Sequence, residues 1–184
     1  MPSPAKIILL HGASSSGKST LARALQAKIE LPFWHVSIDH LRDGGVVPMA
    51  RYKSGEFIWG NDREALFDGF HRSLRAYAEA DNNLIVEHIL DAPEWPAKLA
   101  RLLSPFDLFF VGLRASLPEL IRREAARGDR PLGDAERDFH TVHRGLTYDF
   151  EVSSDRPVEE NVDALLIAWR QRSRSAFFGL AGTD

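Results

Sequence analysis

The chain has 184 residues, of which 44% are hydrophobic and 27% charged, with a formal net charge of −3 and no cysteine. That length predicts a single domain over 1–184 with a core of its own, and the lack of cysteine excludes disulfides and thiolate metal sites. The longest apolar runs, Leu108–Leu113 and Ala164–Trp169, fall far short of the roughly 18 residues that suggest a membrane span.

Met1-Pro2-Ser3-Pro4 leads almost at once into a strand-like run, which leaves no room for a secretory signal and predicts a cytoplasmic protein. The mild negative charge argues against bulk nucleic-acid affinity, though not against a local basic site. That positive charge is lopsided, with five lysines against eighteen arginines.

Lys6–Leu10 is a short aliphatic run of the kind buried on both faces of a parallel sheet, and 18–30 reads as a helix on Leu21, Leu25 and Ile29. Phe33–Ile38 is a second strand. Residues 40–60, rich in glycine, predict a long, mostly irregular connection, of the sort that carries function. Asn61, with Glu64 as capping-box partner, is expected to start a helix with the stripe Leu66, Phe67, Phe70, Leu74 and Tyr77. Leu84–Glu87 predicts a strand, Pro93–Leu103 a helix, and Phe106–Leu113 a fourth strand. Ser116 and Glu119 form a second capping-box pattern, opening a helix that ends near Gly128. Residues 129–148 carry no clear pattern, Asp149–Val152 is a weak fifth strand, and Val158–Arg172 a final helix. Strands spaced by helices predict an α/β fold: a parallel five-stranded sheet with helices on both faces.

Gly12-Ala13-Ser14-Ser15-Ser16-Gly17-Lys18-Ser19 fits G-x-x-x-x-G-K-[ST] without a mismatch, between a predicted strand and a predicted helix. In such a P-loop the glycines let backbone N–H groups converge on a phosphate, and the helix N-terminus adds partial positive charge. Lys18 is expected to bridge the β- and γ-phosphates, Ser19 to ligate Mg²⁺, and Thr20 to reach the α-phosphate. The implied cofactors are ATP and Mg²⁺. A guanine-reading Asn/Thr-Lys-x-Asp run is absent, which argues against a GTPase.

Asp39 closes the predicted second strand, on the carboxyl side where an open sheet binds ligands. A carboxylate there suits a general base for an attacking hydroxyl, or simply a cap for the following turn. Glu87 ends the third strand, followed by His88; both are candidates for the acceptor side, together with Arg42 and with Tyr52 and Trp59 of the 40–60 connection. Five arginines, Arg114, Arg122, Arg123, Arg127 and Arg130, fall within 114–130. They predict an arginine-rich lid, over about 122–135, like that of a nucleoside monophosphate kinase, with Arg123 and Arg127 on the nucleotide and Arg130 on the transferring phosphoryl group. A solvated basic face paired with Glu119, Glu124 and Asp129 is the plainer alternative.

Taken together, the serine-rich P-loop, strand-end Asp39, Arg123-Glu-x-x-Arg-Gly-Asp-Arg130 and Val142-His143-x-Gly145-x-x-Tyr148-Asp149-x-Glu151-Val152 resemble the chloramphenicol phosphotransferase family of small P-loop kinases. The resemblance implies ATP-dependent phosphorylation of a hydroxyl on an antibiotic or related metabolite, with Asp39 as base. Glu87-His88 and Arg42 depart from the family's pattern, which leaves the acceptor open. Two other readings remain: a nucleic-acid 5′-hydroxyl kinase, from Asp39-x-x-Arg42, and a nucleotide-binding regulator without catalysis, with Phe177, Phe178 and Leu180 as a partner surface.

Overall fold

A computed structural model of the chain describes residues 4–127 and 132–182. Five strands, β1 (Lys6–His11), β2 (Phe33–Ser37), β3 (Asn83–His88), β4 (Asp107–Arg114) and β5 (Phe150–Ser153), form one parallel sheet in the order β2-β3-β1-β4-β5. The aliphatic run of β1 divides with a period of two. Ile7 and Leu9 face a core with Phe70, Leu74, Phe110 and Phe177, while Ile8 and Leu10 face another with Leu21, Leu25, Val111 and Leu165. Both faces of a central parallel strand are thus buried, as its unbroken hydrophobicity requires.

Helices α1 (Lys18–Lys28) and α8 (Val158–Arg170) cover the second of these faces, and α4 (Trp59–Glu79) and α5 (Trp95–Leu102) the first. Because β1 pairs with β3 on one side and β4 on the other, the chain winds away from β1 in both directions. This opens a crevice at the carboxyl ends of the strands, where such sheets bind ligands.

Several boundaries differ from expectation. The 40–60 connection is not irregular: α2 (Ile38–Asp43) and α3 (Met49–Lys53) lie at its start and middle. Helix α4 begins at Trp59 with Ile58 before it, so Asn61 sits inside the first turn and is no cap. Tertiary contacts draw the start forward: the Tyr52 ring meets Trp59 edge-on at 5.3 Å, and its hydroxyl donates to Asp62 at 2.8 Å. The capping-box pattern at Ser116 is also diverted, since the Glu119 carboxylate turns to Arg122 and Arg123 within α6 (Leu117–Arg127).

The unpatterned stretch contains α7 (Asp134–Thr141). Its short sequence lacks a long apolar stripe, but Glu124 of α6 accepts the Gly133 and Ala135 N–H groups, both at 2.8 Å, and so supplies the cap from another helix. These bonds hold the Glu124 carboxyl below its usual range. The tail folds back as a 3-10 helix, Ala176–Gly182, that buries Phe177 against Phe110 instead of presenting it to a partner. Among the described residues, no helix is long and apolar enough to cross a membrane.

Candidate active site

The phosphate loop joins β1 to α1. A Cβ on Gly12 would stand 2.5 Å from the backbone oxygen of Leu113, so only glycine fits there. Ser15 and Gly17 adopt positive φ (62° and 95°), and the first turn of α1 has no side-chain cap. The Ser14 and Ser16 hydroxyls are buried without a hydrogen-bond partner among the described residues. Buried polar groups are rarely left so, and a hydroxyl-lined cradle at a helix N-terminus fits a phosphate. Lys18 arches over the loop, its Nζ donating to Gly12 and Ala13 carbonyl oxygens at 2.7 and 2.8 Å.

Ser19 donates its hydroxyl to Glu87 Oε2 at 2.7 Å. Burial works to raise the Glu87 pKa, but hydrogen bonds from His35 and Ser19 outweigh it and hold the carboxyl ionised, below its usual range. A hydroxyl and an ionised carboxylate beside the loop fit Mg²⁺, which takes few protein oxygens and keeps its waters.

A cavity of about 630 Å³ opens over this loop. Its lining takes in Ser14 to Thr20, then Asp39, Trp59, Glu87 and His88, and Arg122, Arg123 and Arg127. Asp39 does not close β2 but lies two residues beyond its end, in the first turn of α2, where its N–H donates to the Ser37 hydroxyl at 3.2 Å. Gly12 and Ala13 shape the loop from behind. Arg42 and Tyr52 are not in the lining: Arg42 turns to Asp39 and Asp43, and Tyr52 to Asp62. His88 closes the floor but sits within the core, 2.7 Å from the Nε2 of His71. Burial keeps its imidazole neutral. Arg130 lies outside the described residues.

The lid arginines are unlike one another. Arg123 is a strap: its guanidinium donates to the Ser16 carbonyl oxygen at 3.2 Å, to both Ser154 oxygens, and to Glu119. Arg122 pairs with Glu119 in the manner of a surface salt bridge, and Arg114 pairs with Glu151 away from the lid. Of the four that are described, Arg122, Arg123 and Arg127 line the cavity and Arg114 does not.

Four residues escaped sequence reasoning. Asp138 of α7, 1% exposed, accepts the Ser14 N–H at 2.9 Å and pairs with Arg137 at 2.8 Å. His11, at the end of β1, receives the Leu90 N–H on Nδ1, so its Nε2 carries the proton and donates to the Val142 carbonyl oxygen at 2.9 Å. Burial pushes this imidazole down to about 3. Arg63 lies against Phe67 and Trp95 and pairs with Asp91 in the acceptor half of the cavity; its i,i+4 spacing to Phe67 was the one local signal. Glu124, the cap of α7, showed none.

A mononucleotide-type parallel sheet with a P-loop at its switch point and an acidic residue in the same cavity defines a P-loop kinase fold. The chain belongs to the chloramphenicol phosphotransferase-like protein family, matched over residues 5–170, and so is a small-molecule O-phosphotransferase of the kinase class. A Mycobacterium tuberculosis protein, provisionally described as an O-phosphotransferase, is 29% identical over 84% of this chain and 78% of its own length. Among solved structures, the APS kinase of Mycobacterium tuberculosis shares the fold, with a TM-score of 0.68 and 18% identity over 92% of this chain and 99% of that one. A gluconokinase from Sinorhizobium meliloti has a TM-score of 0.64 and 19% identity, covering 91% and 93%.

Proposed function

We propose that the protein transfers the γ-phosphate of ATP to a hydroxyl of a small neutral compound, an antibiotic such as chloramphenicol or a related metabolite, as a single-domain cytoplasmic enzyme that takes no nucleic acid. The observation that carries this is the shared cavity: the P-loop and Asp39 both line one space of about 630 Å³, room for a nucleotide tail and an acceptor. ATP with Mg²⁺ supplies the phosphoryl donor and part of the charge neutralisation. The acceptor oxygen forms its bond to the γ-phosphorus as the bond to the β–γ bridging oxygen breaks, and Asp39 takes the hydroxyl proton.

Lys18, swung from the Gly12 and Ala13 carbonyls, binds phosphate oxygens, with Arg127 and Arg130 at the lid. Ser19 and Glu87 hold the metal side, the former directly. Arg123 binds the Ser16 carbonyl oxygen and thereby helps to orient the cradle. Trp59 and Phe67 provide an apolar acceptor wall, and Arg63 is already neutralised by Asp91. Arg42 pairs with Asp39 and Asp43 and is not itself in the cavity lining, so this reading gives it no acceptor contact.

Asp39→Asn is the deciding variant. Turnover of hydroxylated acceptors with ATP·Mg²⁺ should fall about 10²–10⁴-fold while nucleotide affinity stays at the parent value. Parent-level turnover by this variant would remove Asp39 as the base. Failure of the parent to phosphorylate any hydroxylated antibiotic, nucleoside or sugar would favour the regulator.

A further inference from the structure

We propose that His35, His40 and Glu87 form a binding site for a transition-metal dication of the zinc type, coupled through Glu87 to the phosphate loop. In the β2–β3 register Ser37 stands opposite Glu87 and His35 opposite Ile85. His35 therefore lies diagonally from Glu87 on one face of the sheet, close enough for their side chains to meet, and its Nε2 is on Glu87 Oε1. Both side chains are largely buried. His40 arrives from a different element, α2, and sets its ring edge-on to His35 with centroids 4.7 Å apart.

A donor atom from each of the three residues lies within 4.8 Å of the others. Small side-chain rotations close that spread to the spacing of about 3.3 Å required by bonds of about 2.0 Å in a tetrahedral site. An ion pair between His35 and Glu87 would be complete without His40; convergence of a third donor is what a metal site needs.

The donor chemistry selects the ion. Two imidazoles and one carboxylate suit Zn²⁺ and its neighbours, whereas Mg²⁺ prefers oxygen throughout. His40 is exposed, which gives the ion an entry path and a solvent-facing fourth position.

Glu87 serves two partners: Oε1 faces the histidines while Oε2 receives the Ser19 hydroxyl. A metal on Oε1 withdraws negative charge from Ser19 and places a second dication beside the nucleotide's own. Zinc and Mg²⁺·nucleotide therefore oppose each other. This coupling, unlike the site itself, rests on the reading that Ser19 serves the nucleotide's metal.

The test titrates the full chain with Zn²⁺ against a chromophoric chelator, without nucleotide, and then with Co²⁺ for the visible absorption of a tetrahedral site. One equivalent is expected to bind tighter than about 10 µM, and His40→Ala to weaken it at least about tenfold with the fold unchanged by circular dichroism. In a second arm, Zn²⁺ should weaken Mg²⁺·nucleotide binding to the parent but not to H40A. No binding by the parent, or equal binding by H40A, would overturn the site. Zinc binding that leaves the parent's nucleotide affinity unchanged would overturn the coupling.

Discussion

Asp138 grips the phosphate loop from outside: its carboxylate accepts the Ser14 N–H at 2.9 Å while its other oxygen is held by Arg137. Together with Arg123 on the Ser16 carbonyl, this fixes the loop at two points, one through a donor and one through an acceptor. His11 completes the docking by binding the Val142 carbonyl at the end of α7. Helices α6 and α7 are thus tied to the cradle, which is held in shape by protein contacts.

Removing that grip should affect folding and binding together. Asp138→Ala leaves a buried N–H without a partner, which costs about 1–3 kcal/mol. Its nucleotide Kd should rise by about tenfold, reflecting about 1.4 kcal/mol of lost preorganisation. Asp138→Asn retains an acceptor and should recover part of both losses. Equal nucleotide affinity in the parent and the alanine variant would show that the contact does not shape the cradle.

The Tyr148-Asp149 pair of the family-like stretch acts by building, and each half can be tested. Asp149 accepts the Phe110 N–H at 2.7 Å, the Ala176 N–H at 2.8 Å and the Ser175 hydroxyl, so one carboxylate ties β4 to the C-terminal turn. Asp149→Ala should destabilise the protein by about 3 kcal/mol or more in urea denaturation. Amide exchange should accelerate over 175–182 before the rest of the chain. Retention of parent-level protection in that segment would contradict the tie.

Tyr148 lies flat on β4: a Cβ on Gly112 would come within 2.7 Å of its ring. Gly112→Ala should therefore cost about 1–3 kcal/mol by overpacking. In a Tyr148→Leu background, where the ring is gone, the same change should cost much less. An identical increment in both backgrounds, read from thermal unfolding, would mean the clash is relieved elsewhere.

Burial holds His11 at about 3 and His71 and His143 at about 4, and carries His88 well below its ordinary value. Below about 6.5 the unfolded chain takes up protons that these histidines refuse when folded, so stability falls as pH drops. The loss begins near 6.5 and continues toward 4, with a slope of about 1.4 kcal/mol per pH unit for each proton withheld. Urea midpoints at pH 7, 6 and 5 measure this slope; a flat profile between pH 6 and 5 would show that the imidazoles protonate in place. The Glu87 and Glu124 carboxylates are held below their usual range, so their contribution is lost at lower pH still.

Much of this protein is written locally. Gly12, Gly17, Lys18 and Ser19 specify the cradle through contiguous backbone and side-chain chemistry, and Ile7–Leu10 specify a doubly buried strand through their composition alone. Local spacing also located Asp39 to within one turn. What remained hidden depends on partners outside the element itself: α7 is capped by Glu124 of α6, α4 is started early by Tyr52 of α3, and Asp138 reads as an ordinary surface carboxylate until folding brings it to Ser14, 124 residues away.

Arg122 and Arg123, neighbours in sequence, both bind Glu119 and separate only in three dimensions, where Arg123 also reaches the phosphate loop. Residue pattern alone determined the sheet, the loop and the class of chemistry, because those follow from periodicity and contiguous motifs. Tertiary structure decided which charged groups are strapped down and which face the cavity, because a charge's role is set by the neighbour it meets, and that neighbour is chosen by the fold.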